Sequence, residues 1–503
     1  AQAVRDFMVY FRTRAAEVGA PHLKMEWYDA MAESGNRSFQ NAFTNSNDGF
    51  MKSGTNVTDT GNTLAAHEMF LNFWWWGTSN PANSRALALT RGVNPYDLYA
   101  GIWTENYRKY GVTPDANSAN EITIDWPKLF PEGAPHNTSV GLFGAETPWF
   151  KAQSPAGGVT QDQIYWSGPN SDPANTTPPS GSNTPNWFGL AHYIPANSPL
   201  TQLPFITNFN TGQGNFYKIN GTTVMTGPWT NLGTQDILPT WRWIVTSPGA
   251  KTLAPSIDFA ESYYGGSALK VAGALTAGVT QDIKLYQTRL PITADTNLKL
   301  IYKPGAVNDA QIRVGFAFED APGTMVYSNP TSTSSTSGWT TFNVPMASYA
   351  GRSLAVITLR FSSAAGASGF NTTIGRIQIS DGAVVTPQAP SALALEGKML
   401  NPDEAFSTTL RLKWTISSSP VLYYNVFHRR DAGAGSPRVW LGATANNYFV
   451  AQDVRRFGTE SDGFIEVEAV GPDHGVSTPT TTPSATFQFE PYPNLHRPLI
   501  TSY

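Results

Sequence analysis

The apolar period of this chain changes once, near residue 203, and that change limits what it can fold into. Ahead of it, strand-like runs alternate with helical stretches; behind it, apolar residues recur at every second position. Val4, Phe7, Met8, Phe11, Ala15 and Val18 fall at helical spacing, and Gly19 with Pro21 forms a stop signal. Short apolar or aromatic runs follow in "LKMEWYDAM" (23–31), "MFLNFWWW" (69–76), "YDLYAGIW" (96–103) and "TSVGLFG" (138–144). Between the second and third lies a helical stretch in which Asn80 can cap, Pro81 occupies the first turn and Gly92 closes. Strands alternating with helices call for βα units and a parallel sheet. A complete (β/α)₈ barrel needs about 250 residues and eight strands, and only these four runs precede residue 150. Spacing alone leaves two options open, part of a barrel or a small open sheet.

Residues 152–202 change character, and "SGPNSDPANTTPPSGSNTPNW" has the composition of a loop with no core of its own. From 203 the alternation Ile312, Val314, Phe316, Phe318 and then Ala355, Ile357, Leu359, Phe361 describes an antiparallel sandwich that ends near residue 383. A Pro-rich joint, "VTPQAPSA", leads to a third block over 384–490. There Leu410, Leu412, Trp414 and Ile416 alternate, and the strand count fits a fibronectin type III-like sandwich. Residues 491–503 read as a tail.

Composition narrows the chemistry. The formal net charge is −4 and no basic stripe is present, which argues against nucleic acid. No apolar run is long enough to span a membrane. Cysteine is absent, which removes disulfides, thiolate nucleophiles and cysteine-based metal sites. The seven histidines show no metal-ligand spacing, and no nucleophile-elbow, Walker or dinucleotide fingerprint occurs, so no metal or cofactor is expected. An aromatic content of 12%, including 15 Trp, suits flat, weakly charged ligands such as carbohydrate.

Strand phase sorts the candidate residues. Lys24, Glu26 and Tyr28 share one face of the first run, and a barrel would point that polar face into its lumen, with Tyr28 at the carboxyl end where barrel active sites lie. A buried Tyr with its hydroxyl satisfied is the alternative. In the second run Asn72, Trp74 and Trp76 share a phase, opposite Met69, Leu71, Phe73 and Trp75. The asparagine marks the lumen side, making Trp74 ligand-facing and Trp75 either a helix-packing residue or one turned inward by a bulge. Trp103 and Glu105 follow Gly101 in phase on the third run.

The motifs "WYDAM" (27–31), "MFLNFWW" (69–75), "NPYDLYAGI" (94–102), "LFPEG" (129–133), "LPFITNFNTGQG" (203–214), "QDILPTWRWIV" (235–245) and "SYYGGSALKV" (262–271) occur in an order that resembles the endo-β-N-acetylglucosaminidases of glycoside hydrolase family 85. The resemblance implies a multidomain α/β plus all-β chain. Residues 1–202 would be the second half of a (β/α)₈ TIM barrel with a long loop, 203–383 a galactose-binding-like β-sandwich, and 384–490 the fibronectin type III-like domain.

It also implies hydrolysis of the GlcNAc-β-1,4-GlcNAc core of N-linked glycans, with a glycoprotein as substrate and transglycosylation as a further outcome. The mechanism would be retaining and substrate-assisted, the 2-acetamido oxygen forming an oxazolinium while one Glu serves as acid and then base. An Asn two residues before that Glu orients the acetamide. Neither residue of that Asn-x-Glu pair is present in this chain; both are expected upstream, in a missing N-terminal half-barrel of the same protein. By motif, Tyr28 touches the acetamide or oxazoline, Asp29 supports the site beside it, and Phe39 stands at the acceptor gate. Trp74 and Trp75 flank the sugar cleft above Asn72; Trp103 departs from the family pattern, standing where members tend to carry Asp, and Glu105 is the residue that would compensate in contacting sugar. Competing readings are a non-catalytic glycan-binding protein and a chitinase-like acetamido-dependent glycosidase. Low charge and modular sandwiches point to a secreted bacterial protein.

Overall fold

A computed structural model describes residues 1–51, 65–76, 78–103, 126–146, 154–168, 189–194, 198, 200–241, 243–305, 309–332, 338–382, 384–400, 406–433, 435–480 and 486–490. The chain forms two compact units, Ala1–Pro195 and Ala196–Tyr503.

The first unit opens with helix α1 (Gln2–Glu17). Its buried flank is narrower than the apolar spacing suggests. Met8 and Ala15 are buried, whereas Phe7 and Val18 are exposed, because Arg5 takes the neighbouring buried position and pairs with Glu33 at 3.2 Å. Strands β1 (Glu26–Tyr28), β2 (Glu68–Leu71), β3 (Leu98–Trp103) and β4 (Ser139–Phe143) form a parallel sheet in sequential order. Between β2 and β3 runs helix α2 (Asn80–Arg91), with Pro81 in its first turn and Gly92 in the left-handed region at φ 69° where the helix stops. Asn80 makes no cap; its side chain donates to the carbonyl of Asn41 at 3.1 Å.

Alternation assigns the two faces of this sheet. Met69, Leu71 and Leu98 are buried with Met8, Phe50 and Ala88 on the helix side, where Trp27 stacks on Phe50 at 4.1 Å. Ala100 and Ile102 join a second cluster with Trp75, Trp126, Leu129, Tyr165 and Leu190. That cluster corrects the expectation of a coreless segment after residue 152: helices α3 (Trp126–Leu129), α4 (Pro155–Ser167) and α5 (Leu190–Tyr193) supply it. The start of α4 carries a legible signal, since Ser154 accepts from the backbone N–H of Gly157 at 3.1 Å ahead of Pro155. Most of the Pro/Asn/Thr-rich run at 167–187, like the tail at 491–503, lies outside the described residues.

The second unit is built from β-sandwiches. In the first, one sheet runs Thr340–Pro345, Thr296–Pro304, Ala367–Asp381, Ala268–Leu275, Leu253–Asp258, with Phe205–Thr207 also pairing Ala367–Asp381. The other runs Ala321–Tyr327, Gln311–Phe318, Ser353–Ser362, Gln281–Pro291, Ile244–Thr246. Ile312, Val314, Phe316 and Phe318 are all buried. Along Ser353–Ser362 the inward set is Leu354, Ile357, Leu359 and Phe361; a register shift beside Ala355 replaces it with Leu354.

The second sandwich packs Ser391–Leu400, Ser407–Thr415 and Tyr448–Arg455 against Arg438–Thr444, Tyr423–Arg429, Asp462–Val470 and Thr486–Gln488. Leu410, Leu412 and Trp414 are buried in its core, while Ile416 falls beyond the strand and is exposed. A hairpin, Gln213–Ile219 with Thr222–Thr230, joins the two: its Tyr217 stacks on Trp440 at 3.9 Å beside Tyr264 and Tyr423.

Candidate functional site

The carboxyl ends of the four parallel strands gather aromatic rings on the face away from the helices. Tyr28 ends β1, Trp103 ends β3 and Phe143 ends β4. Phe73, two residues past β2, sits among them: its ring centroid is 5.8 Å from both Trp103 and Phe143, 5.7 Å from Phe70 and 6.5 Å from Tyr28. Phe39 adds an edge 6.0 Å from Tyr28 and is 44% exposed.

Strand phase puts Phe73 on the opposite face, with Met69 and Leu71. The error has a simple origin: β2 ends at Leu71, and residues 72–76 form a turn in which the period of two no longer applies. The same break settles the tryptophan triplet. Trp74 is 51% exposed and Trp76 is exposed beside it at 6.2 Å, while Trp75 is 1% exposed and donates its indole N–H to the carbonyl of Gly101 at 2.8 Å. The expectation that Trp75 flanks a sugar is therefore corrected; it fills the core.

Phe70 lies flat on the same face because the neighbouring strands make room for it. A Cβ on Gly141 would stand 2.5 Å from the Phe70 ring, and one on Gly101 equally close to that ring and to the carbonyl of Leu71. Glycine at both positions clears the surface beneath the strand ends.

Polar groups are ordered around the aromatic floor. The Tyr28 hydroxyl, on a side chain 40% exposed, donates to Asn72 Oδ1 at 2.6 Å. Asn72, buried, donates through Nδ2 to Asn41 Oδ1 at 2.6 Å, and that oxygen also accepts from the backbone N–H of Trp74 at 3.3 Å. Burial, and then the nearby Asp29 carboxylate, pushes the Tyr28 phenol above its ordinary range, so it stays protonated at neutral pH.

Asp29 is fully buried, so it supports the site without touching a ligand itself. Its carboxylate accepts from the backbone N–H groups of Gln40 (3.1 Å) and Asn41 (2.6 Å) and from Asn47 Nδ2 (2.9 Å), pinning the 38–47 loop over the strand ends. Burial raises its pKa against the pull of those hydrogen bonds. Trp103 is half-buried at the edge of the floor, and Glu105 lies outside the described residues.

Near the amino end of the same face Glu26 and Glu68 are register partners, and Lys24 bridges to Glu68 at 2.6 Å. Burial and then Glu68 raise the pKa of Glu26. In the second unit both carboxylate oxygens of Glu261 are held by lysines, Lys218 and Lys303. Among the described residues no group of His, Asp and Glu is arranged to hold a metal ion, and no helix is long and apolar enough to cross a membrane.

Residues 1–217 match the family model for glycosyl hydrolase family 85. The chain is similar to cytosolic endo-beta-N-acetylglucosaminidase 1 of Arabidopsis thaliana, with 22% identity over 284 residues, 56% of this chain and 35% of that protein. It is also similar to the cytosolic endo-beta-N-acetylglucosaminidase of Gallus gallus, with 23% identity over 55% of this chain and 31% of that protein. The chain thus spans about a third of the length of the curated relatives it matches. Among solved structures, the glycoside hydrolase domain of Endo-D from Streptococcus pneumoniae R6 covers 97% of this chain and 72% of its own, at 25% identity and a TM-score of 0.80. The fold is that of a family 85 hydrolase region followed by β-sandwiches. The curated relatives are named as cytosolic proteins, which overturns the expectation of secretion drawn from low charge and modular sandwiches.

Proposed function

We propose that this chain forms part of an endo-β-N-acetylglucosaminidase that cuts the β-1,4 bond between the two N-acetylglucosamines of the N-glycan core with retention, through an oxazolinium formed by the substrate's own acetamide. The observation that carries the reading is the Tyr28–Asn72 hydrogen bond of 2.6 Å at the strand ends, within residues that match the family and beside an aromatic floor. A positioned hydroxyl there holds the acetamide in a reactive geometry, which is where such a mechanism gains its rate. Exposed Trp74 offers a ring for a pyranose face and Phe39 one for the acceptor sugar, whose retention favours transglycosylation.

The reading assigns the acid/base Glu, and the Asn two residues before it, to a complementary half-barrel, so that β1 to β4 are the second half of a (β/α)₈ barrel. The second unit is read as a galactose-binding-like and a fibronectin type III-like sandwich. The test is Tyr28→Phe in the full-length enzyme, assayed by release of intact glycan from a glycoprotein. Turnover should fall by roughly ten- to a hundredfold with an unchanged melting profile. Unaltered turnover removes Tyr28 from the site.

A further inference from the structure

We infer that Asn41 is a positioning residue that fixes which way the Tyr28 hydroxyl sends its proton, leaving the Tyr28 oxygen to meet substrate as a hydrogen-bond acceptor. The inference rests on the reading of Tyr28 given above and adds the polarity of its contact.

The polarity follows from two backbone groups that have no choice of role. Oδ1 of Asn41 accepts from the backbone N–H of Trp74 at 3.3 Å, and its Nδ2 faces the carbonyl of Phe39 at 3.5 Å. A peptide N–H only donates and a carbonyl only accepts, so the orientation of this amide is set. The atom of Asn72 that meets Asn41 Oδ1 at 2.6 Å must then be a donor, Nδ2. Its other end, Oδ1, is thereby turned to Tyr28, and the 2.6 Å contact there consumes the phenol proton. Asn72 is buried, so reversing it would set oxygen against oxygen at Asn41 without water to compensate.

Position 41 is also where asparagine serves the backbone. Its φ of 56° lies in the left-handed region, its N–H donates to Asp29 at 2.6 Å and its carbonyl accepts from Asn80 at 3.1 Å. Glycine can take the same φ and keep both backbone contacts while removing only the amide, which makes the idea testable without unfolding the loop.

A phenol oxygen whose proton is committed has lone pairs left, and what they recognise is an N–H or O–H on the ligand. On a 2-acetamido sugar that group is the amide N–H. As the acetamide oxygen bonds to the anomeric carbon, the glycosidic bond breaks and its electron pair leaves with the departing oxygen, which takes a proton from a carboxylic acid. The N–H stays on nitrogen, now in a cationic ring, and a neutral acceptor binds it more strongly than it bound the amide. Tyr28 neither gains nor loses a proton in this step.

The experiment uses the full-length enzyme with an N-glycan glycopeptide. Asn41→Gly should lower kcat about tenfold with KM nearly unchanged, the scale of one lost oriented hydrogen bond. Asn41→Asp, whose carboxylate still accepts from both Trp74 and Asn72, should keep most of the activity. In a Tyr28→Phe background, Asn41→Gly should add little further loss. A second substrate fixes the polarity: Tyr28→Phe should cost activity on the 2-acetamido glycoside and not on its 2-O-acetyl counterpart, which has a carbonyl oxygen but no N–H. Equal losses on both, or an Asn41→Gly loss undiminished in the Tyr28→Phe background, would overturn the inference while leaving Tyr28 in the site. A silent Tyr28→Phe would instead end the reading on which it rests.

Discussion

Trp75 donates its indole N–H to the carbonyl of Gly101 at 2.8 Å, tying the turn after β2 to the third strand beneath it. Its neighbour Trp74 faces solvent. Two adjacent tryptophans therefore predict opposite phenotypes. Trp75→Ala leaves a large cavity and an unpaired carbonyl, and should cost about 3–5 kcal/mol in the unfolding of the first unit. Trp74→Ala should stay within about 0.5 kcal/mol of wild type while weakening glycan binding. Denaturant melts and calorimetric titration of glycan on the same two variants check both halves, and an exchange of the two results would place Trp75 at the ligand.

The glycines under Phe70 give a second expectation. Gly141→Ala puts a methyl group 2.5 Å from the Phe70 ring, and side-chain atoms alone oppose it. It should destabilise the first unit by about 1–3 kcal/mol, and Phe70→Leu should relieve much of that. Gly101→Ala meets the Leu71 carbonyl as well as the ring, so the same rescue should fail there. Melting temperatures of the three single and two double variants decide it.

Asp29 should behave as a loop anchor and not as a chemical group. Asp29→Asn keeps the shape but replaces one of the accepting oxygens with a donor facing a backbone N–H or an amide. A loss of about 2–3 kcal/mol is expected, because hydrogen bonds to a buried charge are the strong ones. Hydrogen exchange should quicken at Gln40 and Asn41 before the sheet itself loosens. Unchanged protection there would show that the loop is held by something else.

How much of this was legible beforehand depends on how local each determinant is. The four strands, the helix at 80–91 and the inward set of Gln311–Phe318 follow from period and from Pro81 and Gly92, which act within a few residues. Trp75 and Phe73 did not, because the strand's end at Leu71 is set by the turn that packs Trp75 against Gly101, a contact 26 positions away. Asn41 carried no sequence signal: it is one of many asparagines until the fold brings Asn72 and Trp74 to it. Helix α4 was hidden by its Pro- and Asn-rich surroundings, although Ser154 before Pro155 was there to be read.

The second unit carries a pH response that His428 and His474 dictate. His428 is buried among the rings of Phe457, Phe487 and Phe489, and burial lowers its pKa from 6.5 to about 4 despite the opposing charge of Glu460. A folded-state pKa below the unfolded one means the unfolded chain takes the proton first. Stability is therefore fully present above pH 6.5 and is lost as the pH falls toward 4. The full window corresponds to roughly 3 kcal/mol. His474, lowered to about 3 by burial and then by Arg376, pulls the same way. Asp236, raised by burial to about 6, pulls the other way, gaining stability as the pH falls from about 6 toward 3.8. Two histidines outweigh one aspartate, so the unfolding free energy of this unit should decline on acidification from pH 7 to 4. His428→Leu, which fills the same apolar site without a titrating group, should flatten that decline by at most one proton's worth, about 1.4 kcal/mol per pH unit. Denaturant melts at half-unit pH steps give the slope directly, and an unchanged slope in His428→Leu would mean that His428 does not titrate differently in the folded and unfolded chains.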